Sequence, residues 1–337
     1  MNLSHVKTSP DRNTYFDVLR GAAIIGVVGI HTIPSAIDYN SLMGFLMVAL
    51  RQFIGCSVPL FVAISGYFLG RKKIGNWSTY FHFLKDRLLV IYFPMLIWSF
   101  PDFMMRLGDG GSALHYMMSW LTGNIHVFYF VMLIMECYMV LPLLTNINMG
   151  GGVIVVVFIS ALFVTLFTYM NHFGHENIPM IVYGSLPSFI GFFSLGCYAG
   201  QCGYDISLPK ILLLIFIMLG WSVAETYWFH DYGNPSRALG FKLSVQSYSF
   251  VLIVFLLSKN IIKLSCTSLA GYWLAQIGCH SFTIYLTHML VLHILNICGL
   301  TTNFWLVDWT ILLIVDLFVV KILTFIPIKV HRYLGIR

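Results

Sequence analysis

Residues 19–37, which read LRGAAIIGVVGIHTIPSAI, decide the fold class of this chain. The stretch is close to the roughly 20 apolar residues that a helix needs to cross a bilayer. Its position near the N-terminus resembles that of a secretory signal peptide. However, it carries Arg20 and His31, and further apolar stretches follow it, so we expect it to be a retained membrane span.

The composition of the whole chain supports the same fold class. Of its 337 residues, 58% are hydrophobic and 9% are charged, and the mean hydropathy is +0.83. A soluble domain carries about 25% charged residues, which cover its surface. Disordered chains, nucleic-acid-binding proteins and secreted disulfide scaffolds are excluded on composition. The sequence therefore predicts an all-α integral membrane protein whose partners include the lipid bilayer and no nucleic acid.

Apolar stretches recur along the chain and predict a bundle of about ten transmembrane helices, which form one polytopic domain over residues 1–337. Residues 41–52 are also apolar but contain Arg51 and Gln52, so we expect a short interfacial helix before the second span. Beyond residues 19–37, the predicted spans are residues 53–70, 88–105, 126–144, 153–170, 181–200, 211–228, 243–257, 279–298 and 305–327.

The orientation follows from the basic residues of alternate loops, because cytoplasmic loops are enriched in Lys and Arg. Most of the 19 Lys and Arg residues fall in one set of alternate loops, which includes both termini. Both termini are therefore expected in the cytoplasm. The opposite set of loops holds Arg51, Arg106, Arg237 and Lys242.

Arg20 and His31 are the most informative polar pair, because both lie in the first predicted span. Their separation corresponds to about 20° beyond three full helical turns and a rise of about 16 Å. Both side chains therefore point to one face, and a polar group at membrane depth is by default a functional candidate. Taken singly, Arg20 could be a snorkelling anchor and His31 a bridge between helices. The shared face favours a common site.

Two glutamates also lie within predicted spans, Glu136 in the fourth and Glu225 in the seventh. Either could orient His31, bind hydroxyl groups of a ligand or pair with Arg20, so both are candidate catalytic residues. The alternative is a structural hydrogen bond inside the bundle. Asp316 in the tenth span has the same two interpretations.

Three further patterns follow the first span in order. They are SVPLFVAISGYF at residues 57–68, followed by the basic residues 71–73; Arg87 before a third span that contains Pro94; and SFTIYLTH at residues 281–288. Together with the spacing of Arg20 and His31, this order resembles the membrane acyltransferase 3 family. The resemblance covers nearly the whole chain, and the length is similar to that of members without an appended soluble domain.

The resemblance implies a ten-helix bundle, an acyl-CoA donor and a glycan hydroxyl acceptor, and it implies that Arg20 and His31 are essential. His288 matches the family's S-x-x-I-Y-x-x-H pattern. His126 opens the stretch HVFYF, which resembles the family's H-x-W-F pattern but lacks its tryptophan. Candidate substrate-binding residues are therefore His126, His288 and Tyr67.

Basic residues on the predicted cytoplasmic side suit the phosphates of acyl-CoA, which is made in the cytoplasm. Many members of the family have R-x-x-R at the third span, where this chain has Arg87 and Val90. The basic triplet at residues 71–73 is also typical of a positive-inside anchor. The candidate cofactor-binding residues are Arg20, Arg71, Lys72, Lys73 and Arg87.

Ester formation needs a general base near the acceptor hydroxyl, and a histidine has a suitable pKa. His31 is the candidate for that role. No metal is expected, because His172, His175 and Glu176 lie in a predicted loop without further ligands.

The sequence therefore predicts an acyl-CoA-dependent O-acyltransferase of the bacterial inner membrane. It would move an acetyl group from acetyl-CoA to a hydroxyl of a cell-surface glycan or lipid-linked sugar. The alternative is a secondary transporter or exporter of a polar or lipid-linked substrate, because buried charges in a helix bundle fit that class too.

Overall fold

The structure, a computed structural model, describes most of the chain. Lys73 and His126, two of the predicted site residues, lie outside the described residues, as do His175 and Glu176. The described residues are 14–34, 37–72, 76–108, 110–125, 127–146, 150–174, 182, 184–233, 235–263, 268–302 and 304–336.

Within these ranges the regular structure is entirely helical, which confirms the predicted all-α class. The first half of the chain forms α1 (Thr14–Thr32), α2 (Leu42–Ile54), α3 (Ser57–Gly70), α4 (Trp77–Arg87), α5 (Phe93–Gly108), α6 (Ala113–Leu121), α7 (Tyr129–Asn146) and α8 (Gly151–Phe173). The second half forms α9 (Leu186–Gln201), α10 (Leu208–Tyr232), α11 (Leu243–Leu256), α12 (Lys259–Ile262), α13 (Leu269–Cys279), α14 (Ser281–Ile297), α15 (Trp305–Leu323) and α16 (Ile328–Leu334).

A helix overlaps each of the ten predicted apolar segments, but fewer are long and apolar enough to cross a membrane. Among the described residues there are 5 candidate spans, or 6 if α13 and α14, bent by 74°, count as one. The count of ten and the cytoplasmic termini remain predictions. The candidate spans are Thr14–Thr32, Leu42–Gly70, Trp77–Gly108, Gly151–Phe173 and Leu208–Tyr232.

A separate helix, α2, precedes α3 as expected, and its interfacial position stays a prediction. Helices α2 and α3 together form a candidate span of 29 residues. Gln52, near the end of α2, is fully buried and accepts a hydrogen bond from Ser222 of α10 (2.8 Å). Gln52 therefore faces the protein interior, where Ser222 of a distant helix binds it.

The small-xxx-small spacings Gly66–Gly70 and Gly196–Gly200 predict close helix approaches, and α3 and α9 meet at these glycines. A Cβ on Gly66 would lie 2.3 Å from the Phe193 carbonyl oxygen, and a Cβ on Gly196 would lie 2.1 Å from the Ala63 carbonyl oxygen. Small residues let membrane helices pack backbone to backbone. The contact fixes α3, which contains Tyr67 and ends just before Arg71 and Lys72.

Helix α1 lies at the centre of the bundle, where it contacts α2, α3, α13, α14 and α15. Its approach to α13 is also backbone to backbone, because a Cβ on Gly21 would lie 2.0 Å from the Leu274 carbonyl oxygen. Ile24 and Val28 of α1 are fully buried. This central position brings both ends of α1 into contact with residues from several other helices.

A π-helical turn, Leu88–Tyr92, separates α4 from α5 immediately after Arg87. The Phe93 N–H bonds to the Leu88 carbonyl oxygen, five residues earlier. The next residue is Pro94, which has no N–H to continue an α-helical ladder. Such wide turns occur often at functional sites, and this one lies beside a predicted donor-binding cation.

Candidate functional site

A cavity of about 280 Å³ opens near the first turns of α1, and we call it the cation cavity. Arg20 of α1, Lys72 just after α3 and Arg87 at the end of α4 line it together. The other walls are mostly apolar and include Phe61, Phe68, Leu69, Ile91, Phe130 and Tyr285. Three of the five predicted donor-binding residues therefore meet in one place.

Aromatic rings and one carboxylate position these cations. Arg20 pairs with Asp17 one turn earlier (3.0 Å), and its guanidinium lies 5.1 Å from the centroid of the Phe68 ring. Lys72 and Arg87 lie over the same ring, that of Phe83, at 5.4 and 5.2 Å. Cation–π contacts of this kind hold a basic head group while leaving it able to bind an anion.

The cation cavity has a positive electrostatic character. Partial burial, and then the neighbouring Arg87 guanidinium, lower the pKa of Lys72 below the usual lysine value. No aspartate or glutamate is among the described residues that line the cavity. A bound polyanion would relieve the repulsion between the two cations, because guanidinium and ammonium groups are good phosphate ligands.

Two other predicted site residues of this region lie outside the cavity lining. Arg71 places its guanidinium 5.7 Å from the Tyr67 ring, and its side chain is exposed. The Tyr67 ring packs against Phe16, with ring centroids 4.6 Å apart. The donor role of Arg71 and the substrate role of Tyr67 remain predictions.

A second cavity, of about 320 Å³, lies further along α1, and we call it the histidine cavity. His31 of α1 lines it together with Arg51 and Gln52 of α2. Further lining residues are Pro59, Val127, Tyr129, Phe189, Phe241 and Val245. Arg20 and His31, which share one helix, therefore serve two different cavities.

The side chains of Phe130 and Tyr285 line both the cation cavity and the histidine cavity. Their rings meet edge to face with centroids 5.3 Å apart. The Tyr285 hydroxyl donates a hydrogen bond to the Val127 carbonyl oxygen (2.5 Å), which fixes its ring. We call this pair the aromatic partition. A molecule that extended from the cation cavity to His31 would have to pass it.

His288 lies beside His31, with the two imidazole centroids 5.4 Å apart. The Nδ1 of His288 is 2.8 Å from the Tyr285 carbonyl oxygen. Since a carbonyl oxygen can only accept, Nδ1 carries the hydrogen. The other ring nitrogen, Nε2, is buried and has no hydrogen-bond partner within the described part of the chain. His288 thus presents an unused basic nitrogen in the region of His31.

A buried carboxyl group lies on the helix that packs against the His288 helix. The Thr287 hydroxyl donates to Asp316 Oδ1 of α15 (2.5 Å), and Asp316 is fully buried. Its second oxygen, Oδ2, has no hydrogen-bond partner among the described residues. This hydrogen bond thus joins α14 and α15 at the residue that precedes His288.

The two predicted catalytic glutamates contact other parts of the protein. Glu136 accepts a hydrogen bond from the Leu186 N–H (2.8 Å), at the start of α9. Glu225 accepts hydrogen bonds from the Tyr169 hydroxyl (2.6 Å) and from Ser244. Neither glutamate lines the cation cavity or the histidine cavity. Their contacts match the structural alternative, and a catalytic role for them remains a prediction.

Sequence reasoning missed Arg51 and Lys242 as site residues, because both were placed in outer loops. Lys242 is fully buried, and its ammonium donates to Gln52 (3.0 Å), Thr226 (2.9 Å) and the Ala238 carbonyl oxygen (3.0 Å). The available signal was the Arg51-Gln52 pair inside an apolar stretch, since a charged residue at membrane depth is a functional candidate.

No group of three or more His, Cys, Asp or Glu side chains in the described ranges is arranged to hold a metal ion. His172 is buried against the Phe229 ring (4.2 Å). His293, which also lies in a helix, lines a separate cavity with Asp102 and Arg106.

The fold and the two cavities describe a helical membrane protein with a cationic site and a histidine site inside one bundle. A family model for an acyltransferase domain, that of the acyltransferase 3 family, matches residues 13–326, and the chain belongs to this family. The protein is thus a membrane acyltransferase. Neither the curated proteins nor the solved structures include a match to this chain.

Proposed function

We propose that this membrane acyltransferase transfers an acyl group from acyl-CoA to a hydroxyl group of a glycan. The observation that carries the proposal is the pair of cavities along α1, one cationic and one lined by His31, with the aromatic partition between them. A donor with phosphates at one end and a thioester at the other needs such an arrangement. A transporter, which breaks no bond in its cargo, would not need a division between two substrate sites.

The phosphates of the donor bind in the cation cavity. Arg20, Lys72 and Arg87 supply three positive charges there, and the apolar walls exclude water, which strengthens each ionic contact. The pantetheine arm separates the phosphates from the thioester, so it extends along α1 toward His31. Phe130 and Tyr285 must let the acyl end pass.

The chemical step is the attack of an acceptor hydroxyl on the thioester carbonyl. His31 takes the hydroxyl proton as the carbon–oxygen bond forms. The carbon–sulfur bond then breaks, and the proton held by His31 goes to the departing CoA thiolate. The products are an ester and free CoA thiol, and the histidine returns to its neutral state.

The donor we propose is acetyl-CoA, and the acceptor is a cell-surface glycan or its lipid-linked precursor at the bacterial inner membrane. The order of the motifs is similar to that of O-acetyltransferases of the enterobacterial common antigen type, and this similarity supports the proposal. Phosphate-binding cations at the predicted cytoplasmic end of α1 agree with the cytoplasmic origin of acetyl-CoA.

Incubation of the purified protein with acetyl-CoA and candidate lipid-linked glycans tests the proposal. Mass spectrometry should show an acetyl-sized mass gain on the glycan and release of CoA thiol, both dependent on His31. If the protein instead moves the glycan across proteoliposome membranes without any change in its mass, the transporter alternative is correct and the proposal is wrong.

A further inference from the structure

We propose that the histidine cavity selects an acceptor that carries an anionic oxygen group, a carboxylate or a phosphate, and that Arg51 binds this group. The inference rests on the proposed function, because it specifies the chemical class of the molecule whose hydroxyl approaches His31. Either a uronic acid sugar or a sugar joined to a lipid diphosphate has this chemistry.

The first observation is a positive charge that the described residues do not neutralise. Arg51 lines the cavity together with His31, and no aspartate or glutamate is among the described lining residues. No described carboxylate forms a salt bridge with Arg51. A guanidinium inside a candidate membrane span is costly without a counter-charge. A ligand that brings an anion into the cavity would supply it.

The second observation is that Glu225, a buried carboxylate that interacts electrostatically with Lys242, has other partners. Glu225 accepts hydrogen bonds from Tyr169 and Ser244. Lys242 adds a second buried cation behind the cavity wall, because its ammonium contacts Gln52, the residue next to Arg51. Glu225 is therefore occupied by other groups, and Arg51 is the cation that lines the cavity.

The chemistry of the guanidinium favours a role for Arg51 in binding an anionic group that the substrate always carries. The other role, stabilising the negative charge that forms briefly in the transition state, is less favoured. The cost of burying a cation applies to the enzyme at all times, whereas a developing oxyanion exists only during the chemical step. The planar fork of donors on an arginine matches two oxygens of a carboxylate or phosphate. The cavity, at about 320 Å³, lies at the lower end of the range for small-molecule sites.

The experiment compares acceptors that differ in one group. Purified full-length protein receives acetyl-CoA with methyl β-glucoside, with methyl β-glucuronide, or with a short-chain prenyl-diphosphate glucose. We expect the wild-type KM to be about 10- to 100-fold lower for at least one anionic acceptor than for the glucoside, as charge-assisted contacts give. A preference for the glucuronide identifies a sugar carboxylate, and a preference for the prenyl-diphosphate sugar identifies a phosphate.

The variant Arg51→Gln should lose this preference, with the KM for the anionic acceptor raised to that of the glucoside. Arg51→Lys keeps the positive charge but loses the planar set of guanidinium donors, so it should retain part of the preference for the anionic acceptor. Arg106→Gln removes another cation predicted to lie on the same side, outside the histidine cavity, and should keep the full preference. Thermal unfolding and acetyl-CoA affinity report whether each variant is folded.

Equal KM values for all three acceptors in the wild type would overturn the inference, as would an unchanged preference in Arg51→Gln. A loss of kcat that is equal for neutral and anionic acceptors would show that Arg51 stabilises the transition state instead. Binding of the same three compounds, measured by ligand-observed NMR, does not need turnover. If anionic compounds bind through Arg51 but no acetyl transfer occurs, the anion site stands and the proposed function is wrong.

Discussion

The imidazole rings of His31 and His288 lie 5.4 Å apart, at an interplanar angle of 46°, although they belong to the first and to one of the last helices of the bundle. The Nδ1 hydrogen of His288 is committed to a backbone carbonyl oxygen. Its Nε2 is therefore the nitrogen that can accept a hydrogen bond or a proton from a neighbouring group. Of the two residues, His31 lines the histidine cavity, and His288 lies behind His31.

The first prediction concerns the general base. We expect His31→Ala to lower the rate of acetyl transfer by about 10²–10⁴-fold, which is the usual contribution of a positioned base. The Kd for acetyl-CoA should stay unchanged, because the phosphates bind in the other cavity. Steady-state kinetics and calorimetric binding measure the two effects. His288→Ala should give a smaller loss of kcat.

A covalent acyl-histidine is the competing mechanism for the same residue. Direct transfer predicts that protein incubated with radiolabelled acetyl-CoA, without acceptor, carries no label. Label on His31 would show the covalent route. If His31→Ala keeps most of its activity, the assignment of α1 as the catalytic helix is wrong.

The second prediction concerns the donor phosphates. Arg20→Ala and Arg87→Ala should each raise the Kd for acetyl-CoA by about 10- to 100-fold, because each removes a charge-assisted contact. Arg51→Ala should leave this Kd unchanged, since Arg51 lines only the other cavity. Lys263→Ala, an exposed cation predicted to lie on the cytoplasmic side, is the matched control. Equal affinities in all four variants would remove the cation cavity as the donor site.

The third prediction concerns the aromatic partition. Phe130→Trp enlarges the side chain where the two cavities meet, so we expect acetyl-CoA still to bind while acetyl transfer falls. The corresponding control is Phe81→Trp, because Phe81 is exposed on α4 and lines neither cavity. Normal transfer in Phe130→Trp would mean that the acyl group takes another path.

The fourth prediction concerns the contact between α3 and α9. Gly66→Ala should destabilise the protein by about 1–3 kcal/mol, the usual cost of overpacking, because the new Cβ would lie 2.3 Å from a backbone oxygen. Gly220→Ala on α10 has no atom within 4 Å of the added Cβ and should be neutral or stabilising. Thermal unfolding in the same detergent compares them. A smaller loss in Gly66→Ala than in Gly220→Ala would contradict the packing shown.

The fifth prediction concerns topology. If both termini are cytoplasmic and α8 ends outside, a cysteine at Gly174, which is exposed, should react with a membrane-impermeant maleimide in intact cells. A cysteine tag at the C-terminus should react only after the cells are opened. Labelling of both positions in intact cells would rule out the charge-based orientation.

The sequence by itself determined the properties that depend on composition and on position along one helix. Its hydropathy and low charge require an all-helical membrane protein, because only helices satisfy the backbone of consecutive apolar segments in lipid. The helical period placed Arg20 and His31 on one face of α1. The glycine spacing at Gly66 and Gly196 indicated close helix contacts, since a missing side chain is a local property.

The tertiary structure alone decided which distant residues meet. The sequence could not show that Gly66 and Gly196 face each other, or that Phe130 and Tyr285 form one partition. Nor could it show that Arg51, predicted in an outer loop, lines the cavity of His31. The physical reason is that a side chain's partners depend on the packing of helices far apart in sequence. The role of each buried polar group depends in turn on those partners.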